Sequence, residues 1–369
     1  MKIPELTSYL SERIPLSLQE DYDNSGLQLG DPGQKISKAL LALDITEEVV
    51  DEAINEGAGI IISHHPLIFP NLRSINAASF HGRIIYKAIK NNIAIYSAHT
   101  NLDNLEGGVS YRMAEKIGLS DIKALDALAS RLLKIVTFVP PEHLEKIKNA
   151  MFGAGAGSIG KYDRCSFSSE GTGTFRASGD ASPFVGQKGS DHHENEIKLE
   201  MIMPDYLEGN VIKALLDAHP YEEVAYDIYR LENKMLKEGM GCVGKLKKSE
   251  DAMAFLERLA DIFDARGLRY SGNTGRKINT VALCGGAGAS LISRARQSGA
   301  DIYISGDIKY HSFFETGDKM IIADLGHYES EKFSLEILYE IITKKFPKFA
   351  VRFSKSNTNP INYLQAWKK

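Results

Sequence analysis

Five residues in three separate segments of the chain have side chains that bind divalent metal ions. Two are the adjacent His64 and His65, one is Asp103, and two are His327 and Glu331, four residues apart. Three imidazoles and two carboxylates exceed the four ligands of a closed tetrahedral site. They suit two ions about 3.5–4 Å apart that share a carboxylate or a water molecule. Without a thiolate among the ligands, zinc, iron and manganese all remain candidates.

Each of the three segments also has a simpler interpretation. Adjacent strand residues point to opposite sides, so His64 and His65 could be one exposed and one hydrogen-bonded histidine. Asp103 is equally suited to cap the helix that follows it. An isolated His-x-x-x-Glu pattern on a helix is more often a terminal histidine with a solvated glutamate. The metal interpretation therefore depends on the three segments meeting in space.

The segments that must position these residues are apolar runs that alternate with amphipathic ones, which is typical of parallel βαβ units. The apolar runs occur in both the first and the last third of the chain, at 38–44, 59–65, 93–99, 279–286, 300–307 and 319–324. Ligands of open α/β sheets bind beyond the carboxyl ends of the strands. The two parts also align as a weak internal repeat. We therefore expect an α/β fold with a pseudo-symmetric core of two halves and a long helix from about residue 328.

The residues between the two halves follow another pattern. Residues 131–231 read as a strand, a helix, a Gly/Ser-rich hairpin, a strand, a helix and a strand. The order β-α-β-β-α-β predicts a ferredoxin-like α+β insert. We therefore expect residues 1–130 and 232–369 to form the two halves of the core, and residues 131–231 to form an inserted domain.

Two further features could take part in chemistry. The turn at 284–290, CGGAGAS, could hold a phosphate with backbone N–H groups, although close packing of a strand on a helix explains its glycines equally well. The glycines concerned are Gly285, Gly286 and Gly288. His99 and His311 follow strand-like segments and are candidate acid–base groups, with Asp307 beside His311.

Composition argues against two classes of partner. Of the 369 residues, 43% are hydrophobic and 25% charged, the net charge is −4, and lysines and arginines are dispersed. We expect neither nucleic acid nor a membrane surface as a partner. The three cysteines form no CxxC pair, and no apolar stretch approaches the ~20 residues of a spanning helix. These features predict a cytoplasmic protein and leave small molecules or protein partners as its candidate ligands.

Six segments, taken in order, resemble the dinuclear-metal family that includes YbgI and YqfO, a Nif-three-like family whose members are labelled GTP cyclohydrolase 1 type 2 homologs. They are DYDNSGLQLGD (21–31), IISHHPLIF (61–69), SAHTNLDN (97–104), CGGAGAS (284–290), SGDIKYH (305–311) and ADLGHYESEKF (323–333). The insert, with KIVTFVPPEHLEKI and AHPYEEVAYDIY, is similar to that of the longer YqfO type and to PII and CutA signalling modules.

The resemblance implies a function and an assembly. The family's metal ligands correspond to the five residues singled out above, and its members imply two divalent ions per chain, a homohexamer and hydrolysis of GTP or a related nucleotide or heterocycle. It also gives Asp23 and Asn24 a place near the site, although a turn explains them equally well. Two other functions stay open: a metal-binding scaffold, metallochaperone or cofactor-assembly protein without turnover, and a regulatory protein whose insert senses a small molecule.

Overall fold

Two compact units make up the structure. One unit combines Met1–Ala127 with Lys237–Lys369, and the other is Leu128–Leu236, which contains the predicted insert. The computed structural model describes residues 1–69, 74–315, 317 and 319–363. Across those ranges, no helix has the length and apolar character needed to cross a membrane.

The first part of the chain alternates strands and helices, as predicted. Its elements are α1 (Ile3–Arg13), β1 (Gly26–Leu29), β2 (Lys38–Ala42), α2 (Glu47–Glu56), β3 (Ile60–Ser63), α3 (Phe80–Lys90), β4 (Ala94–Ser97), α4 (Thr100–Asp103), α5 (Val109–Ile117) and β5 (Leu119–Ala129).

The second unit is built from an antiparallel sheet and two helices. Its elements are β6 (Leu132–Val139), α6 (Leu144–Gly153), β7 (Phe167–Arg176), β8 (Asp191–Pro204), α7 (Glu208–Ala218) and β9 (Tyr226–Leu231). The strands lie in the order β7-β8-β6-β9, and every neighbouring pair is antiparallel. Apolar side chains of both helices pack with those of the sheet in one core, which includes Ile135, Ile147, Met201 and Leu215.

The last part of the chain returns to alternating strands and helices. Its elements are β10 (Lys234–Asp251), α8 (Ala252–Phe263), β11 (Arg269–Ser271), β12 (Lys277–Leu283), α9 (Ile292–Gln297), β13 (Ile302–Ser305), β14 (Ile321–Asp324), α10 (His327–Glu331), α11 (Ser334–Lys345) and β15 (Ala350–Phe353). The single long helix predicted from about 328 is wrong, because Lys332 and Phe333 separate two helices. The Phe333 ring packs edge-on against Phe263, with 5.7 Å between centroids, and this contact holds the junction.

Two sheets form the first unit, one mainly parallel and the other mixed, since its β10 pairs antiparallel with β12. One has the strand order β1-β4-β3-β2-β15, and the other has the order β11-β14-β13-β12-β10-β5. In each sheet an antiparallel edge strand, β1 or β11, lies beside three parallel strands in reverse chain order. The carboxyl ends of β3 and β4 therefore meet at one edge, as do those of β13 and β14.

Continuous apolar strands form these sheets because both faces are covered. In β3, Ile60 and Ile62 pack with α1 and α11, whereas Ile61 packs with α2 and α3 on the opposite face. The connecting helix α2 begins at Thr46, whose side chain accepts a hydrogen bond from the Val49 amide, 3.3 Å away. It ends at Gly57, which has a φ of 68°.

Candidate metal centre

Strand ends and helix ends bring the five predicted ligands together. His64 and His65 directly follow β3, Asp103 is the last residue of α4, and His327 and Glu331 are the two ends of α10. The histidine pair is held in place because the His65 amide donates to the Leu43 carbonyl at 2.9 Å. Residues far apart in sequence thus meet because the core places these ends side by side.

Glu331 lies at the centre of the cluster and is 3% exposed. Its Oε1 is 3.7 Å from Nε2 of His64, which in turn is 3.7 Å from Oδ1 of Asp103. Its Oε2 is 2.8 Å from Nε2 of His65 and 3.0 Å from Nε2 of His327. His64, His65 and Glu331 each offer a ligand atom within 4.8 Å of the other two, and this group could hold a metal ion.

Four imidazole rings in this region are fixed in the same way, by a hydrogen bond from Nδ1. Carbonyl and carboxylate oxygens only accept, so Nδ1 carries a proton, and the lone pair that could bind a metal ion belongs to Nε2 once that atom is deprotonated. An oxygen acceptor behind the ring is the usual support of a metal-binding histidine. The pairs are His64 with the Ala98 carbonyl at 2.8 Å, His65 with Asp44 at 2.7 Å, His99 with Asp23 at 2.7 Å and His327 with Asp307 at 2.8 Å.

Two buried atoms of this cluster have no hydrogen-bond partner among the described residues. They are Nε2 of His64 and Oδ1 of Asp103. Buried polar atoms are nearly always satisfied, and unsatisfied ones require an explanation such as an ion. Ligand atoms of a tetrahedral ion with bonds of about 2.1 Å lie roughly 3.4 Å apart, close to the 3.7 Å separations here. The gap between His64, Asp103 and Glu331 therefore fits a cation.

Burial and close packing shift the pKa values of the acidic and histidine side chains in the metal-free cluster. Burial raises the pKa of Asp103 to about 7, with the Glu331 charge adding to the effect and His64 opposing it. Burial also disfavours charge on Glu331, but the three neighbouring imidazoles hold the pKa of this carboxyl well below its usual range. Against the effect of burial, hydrogen bonds to carboxylates raise the pKa of His65 to about 10 and of His327 to about 9.

His99 stands beside the five residues as a fourth ring. Its centroid is 5.4 Å from that of His64 and 5.6 Å from that of His65, and its side chain is 16% exposed. The Asp23 side chain is fully buried and also accepts from the backbone and hydroxyl of Thr100, at 3.0 and 2.5 Å. Against burial, these bonds hold the pKa of Asp23 well below its usual range.

The alternative role of Asp103 as a helix cap is wrong. The next helix, α5, begins after Gly108, and no side chain caps it. A Cβ atom at Gly108 would lie 1.8 Å from the Leu102 carbonyl oxygen, so the turn between α4 and α5 requires glycine there. Asp103 is therefore left facing His64.

Comparison with known proteins places the chain in a family. It matches the family model of Duf34/NIF3 (NGG1p interacting factor 3) over residues 1–360. The chain belongs to the DUF34/NIF3 family. The resemblance noted from the six sequence segments is thereby confirmed.

Relatives of this DUF34/NIF3 chain are similar over nearly their full length. A Bacillus subtilis protein named GTP cyclohydrolase 1 type 2 homolog is 38% identical over 363 residues, which is 95% of each chain. The crystal structure of a Bacillus cereus protein related to NIF3 matches this structure with a TM-score of 0.87 and 39% sequence identity. The crystal structure of Staphylococcus aureus protein SA1388 matches with a TM-score of 0.76 and 30% sequence identity. Both matches cover 99% of this chain and 99% of the other chain. The mixed α/β fold is therefore that of the family.

The glycine turn of the DUF34/NIF3 chain directs its N–H groups inward. Serine hydroxyls accept from all three glycines: Ser110 from Gly285 at 3.3 Å, Ser330 from Gly286 at 2.9 Å and Ser305 from Gly288 at 2.9 Å. To bind a phosphate, the glycine N–H groups would have to give up these hydrogen bonds to the serines. The turn also leaves room for the metal centre, because a Cβ atom at Gly286 would lie 2.0 Å from Oε1 of Glu331.

The two predicted acid–base histidines have different surroundings. His311 is exposed in a short turn of helix, Tyr310–Phe314, and its ring packs on Tyr310 with 5.3 Å between centroids. No described contact joins it to the metal centre, whereas His99 packs against two of the predicted ligands. Asp307, noted beside His311, instead supports His327.

Sequence reasoning missed Asp44 and a cavity beside the centre. Asp44 follows β2 and supports His65, and it also accepts from Thr358 at 2.8 Å. The cavity has a volume of about 620 Å³, and the rings of His65 and His327 form part of its wall. Its other lining includes Asp44, Arg269, Asp307, Asp324, Tyr328, Glu329, Asn359 and Tyr363. Such a volume holds a small organic molecule.

Proposed function

We propose that this DUF34/NIF3 protein binds two divalent metal ions and hydrolyses GTP or a related nucleotide or heterocycle. The observation that carries the proposal is the pair of unsatisfied buried atoms, Nε2 of His64 and Oδ1 of Asp103, beside Glu331. The proposed ligands are His64, His65, Asp103, His327 and Glu331.

The two oxygens of Glu331 support a pair of ions rather than one. Oε1 faces His64, whereas Oε2 faces His65 and His327. A carboxylate shared between two ligand groups is a common arrangement in two-metal sites. Nitrogen and oxygen ligands leave zinc, iron and manganese as candidates.

His99 is the better supported of the two proposed acid–base groups. Bound divalent ions would supply Lewis acidity toward a substrate oxygen and toward water. His99 is partly exposed, lies against His64 and His65, and has its Nδ1 proton fixed on Asp23, so Nε2 is free to accept a proton. The exposed His311 remains a prediction without a described contact to the centre.

The name of the relatives supplies the candidate substrate. Several relatives are called GTP cyclohydrolase 1 type 2 homologs, and the reaction implied is water attack at C8 of guanine with release of formate. The cavity beside His65 and His327 is large enough for a purine ring.

The second unit favours one alternative function. We propose that the second unit is a ferredoxin-like domain of the PII/CutA type, which its order of elements and strands supports. We also propose that the two sheets of the first unit are the halves of a pseudo-symmetric core. The second unit contains a cavity of about 730 Å³, lined in part by Phe138, Phe175, Phe184 and Tyr221. A small molecule bound there would support the regulatory function. The homohexamer is proposed from the resemblance alone.

Metal analysis paired with a formate assay tests the proposal. Protein purified without chelator or affinity nickel should contain about two divalent ions per chain and release formate from GTP. His99→Ala should keep the metal but lose most turnover, and the same loss in His311→Ala instead would assign the acid–base role to His311. Two ions without turnover would favour the scaffold or cofactor-assembly function, and absence of metal would refute the proposal.

A further inference from the structure

Glu329 is a buried carboxylate of α10 that faces the cavity. It is 5% exposed and forms part of the cavity wall. Its Oε1 accepts from Nδ2 of Asn359 at 3.2 Å and from the Tyr363 hydroxyl at 3.3 Å. Among the described residues, no donor is hydrogen-bonded to its Oε2.

The other acidic residues of the cavity wall have stronger partners. Asp44 and Asp307 accept from histidines, and Asp324 pairs with Arg269. Within the described part of the chain, Glu329 accepts two long hydrogen bonds, both from neutral groups. A glutamate carboxylate offers about four lone-pair sites to hydrogen-bond donors. The unused capacity of Glu329 is therefore available to a ligand in the cavity.

The lining restricts the chemistry of that ligand. Four carboxylates and one arginine line the described cavity, and that arginine is already paired with Asp324. The surplus of carboxylates over that arginine attracts groups rich in N–H donors. The Tyr328 side chain adds aromatic surface. A flat nitrogen heterocycle with an amino group satisfies all of these features.

We infer that Glu329 recognises the N–H edge of an amino-substituted nitrogen heterocycle of the guanine type. A ring N–H and the adjacent amino group would both donate to the carboxylate, while the ring lies in the cavity beside His65 and His327. This inference rests on the proposed function, because it names the part of the substrate that the cavity holds.

A purely structural role for Glu329 would be to hold the segment containing Asn359 and Tyr363 in place. Glu329→Gln separates the two roles, because a glutamine oxygen still accepts from Asn359 and Tyr363 but the amide presents a donor to the ligand. Tyr363→Phe is the matched control, since it removes one bond to the segment and leaves the carboxylate unchanged.

The experiment compares binding of guanosine and inosine, which lacks the 2-amino group, by calorimetry on the protein as purified. The wild type should bind guanosine about 10- to 100-fold more tightly, the effect of one hydrogen bond to a charged acceptor. Glu329→Gln should abolish this preference at unchanged metal content, and Tyr363→Phe should keep it. Equal affinities or no binding in the wild type, or a preference that survives in Glu329→Gln, would overturn the inference.

The result of the guanosine and inosine binding test can be distinguished from the result of the formate assay that tests the proposed function. A guanosine preference without formate release from GTP would refute the hydrolase and leave the recognition by Glu329 intact. Formate release without a guanosine preference would do the opposite. The wild-type comparison requires no variant, so a poorly folded Glu329→Gln protein does not prevent the test.

Discussion

Replacing Gly286 with alanine tests whether Glu331 holds the metal centre together. Gly286 has a φ of +62°, and an added Cβ would lie 2.0 Å from Oε1 of Glu331, whereas real contacts begin at about 3.0 Å. The carboxylate must therefore move by about 1 Å or more, which exceeds the roughly 0.5 Å that a preorganised site tolerates. We expect the metal content to fall from about two ions per chain to below one.

Gly299→Ala is the matched control for this substitution. Its φ is +76°, but nothing lies within 4 Å of the added Cβ. Both variants should lose about 1–2 kcal/mol of stability from the left-handed backbone, and only Gly286→Ala should lose metal. Elemental analysis and urea unfolding, run on all three proteins, measure the two effects. If Gly286→Ala retains the wild-type metal content, the role assigned to Glu331 is wrong.

Three further predictions concern the same centre. Asp103→Ala and His327→Ala should each lower the metal content by elemental analysis without unfolding the core by circular dichroism; unchanged stoichiometry in both would disprove the ligand assignment. Asp44→Asn should weaken metal affinity by about 10- to 100-fold in a chelator competition, because the support of His65 is lost; equal affinity would argue against that support. Metal affinity should rise from about pH 6 to about pH 8, because a bound ion displaces protons from Asp103, His65 and His327. The metal-free pKa values of these groups are about 7, 10 and 9, respectively. Calorimetry that detects no proton release on metal binding would contradict this prediction.

Local patterns predicted much of the fold and the strand and helix ends at which the five proposed ligands lie. The apolar strand before His64 and the four-residue spacing of His327 and Glu331 each depend on one element and its neighbours in sequence. The hydrogen bond between His65 and Asp44 depends on how β2 and β3 align in the sheet, and no local sequence pattern encodes that alignment. An acidic residue two positions after the end of a strand was the available signal at Asp44, as it was at Asp307.

Other features could not be predicted because the same residues suit several structures. The glycine turn has the composition of an anion-binding loop, and only three-dimensional contacts show that Gly286 makes room for Glu331. The break between α10 and α11 leaves the apolar spacing of a single helix intact. Residues 354–363 have no periodicity, so their position against the cavity follows only from contacts such as that of Thr358 with Asp44.

The pairing of β15 with β2 determines the order in which the first sheet is completed during synthesis. Val351 lies opposite Ala39 in this parallel pair, so the two strands leave the ribosome about 310 residues apart, an interval of roughly 15–60 s at 5–20 residues per second. Throughout that time the apolar edge of β2 lacks its partner, which is the condition under which a nascent chain pairs with the wrong strand. Because Glu331 is also made late, the proposed metal centre can form only after translation has passed all five proposed ligands.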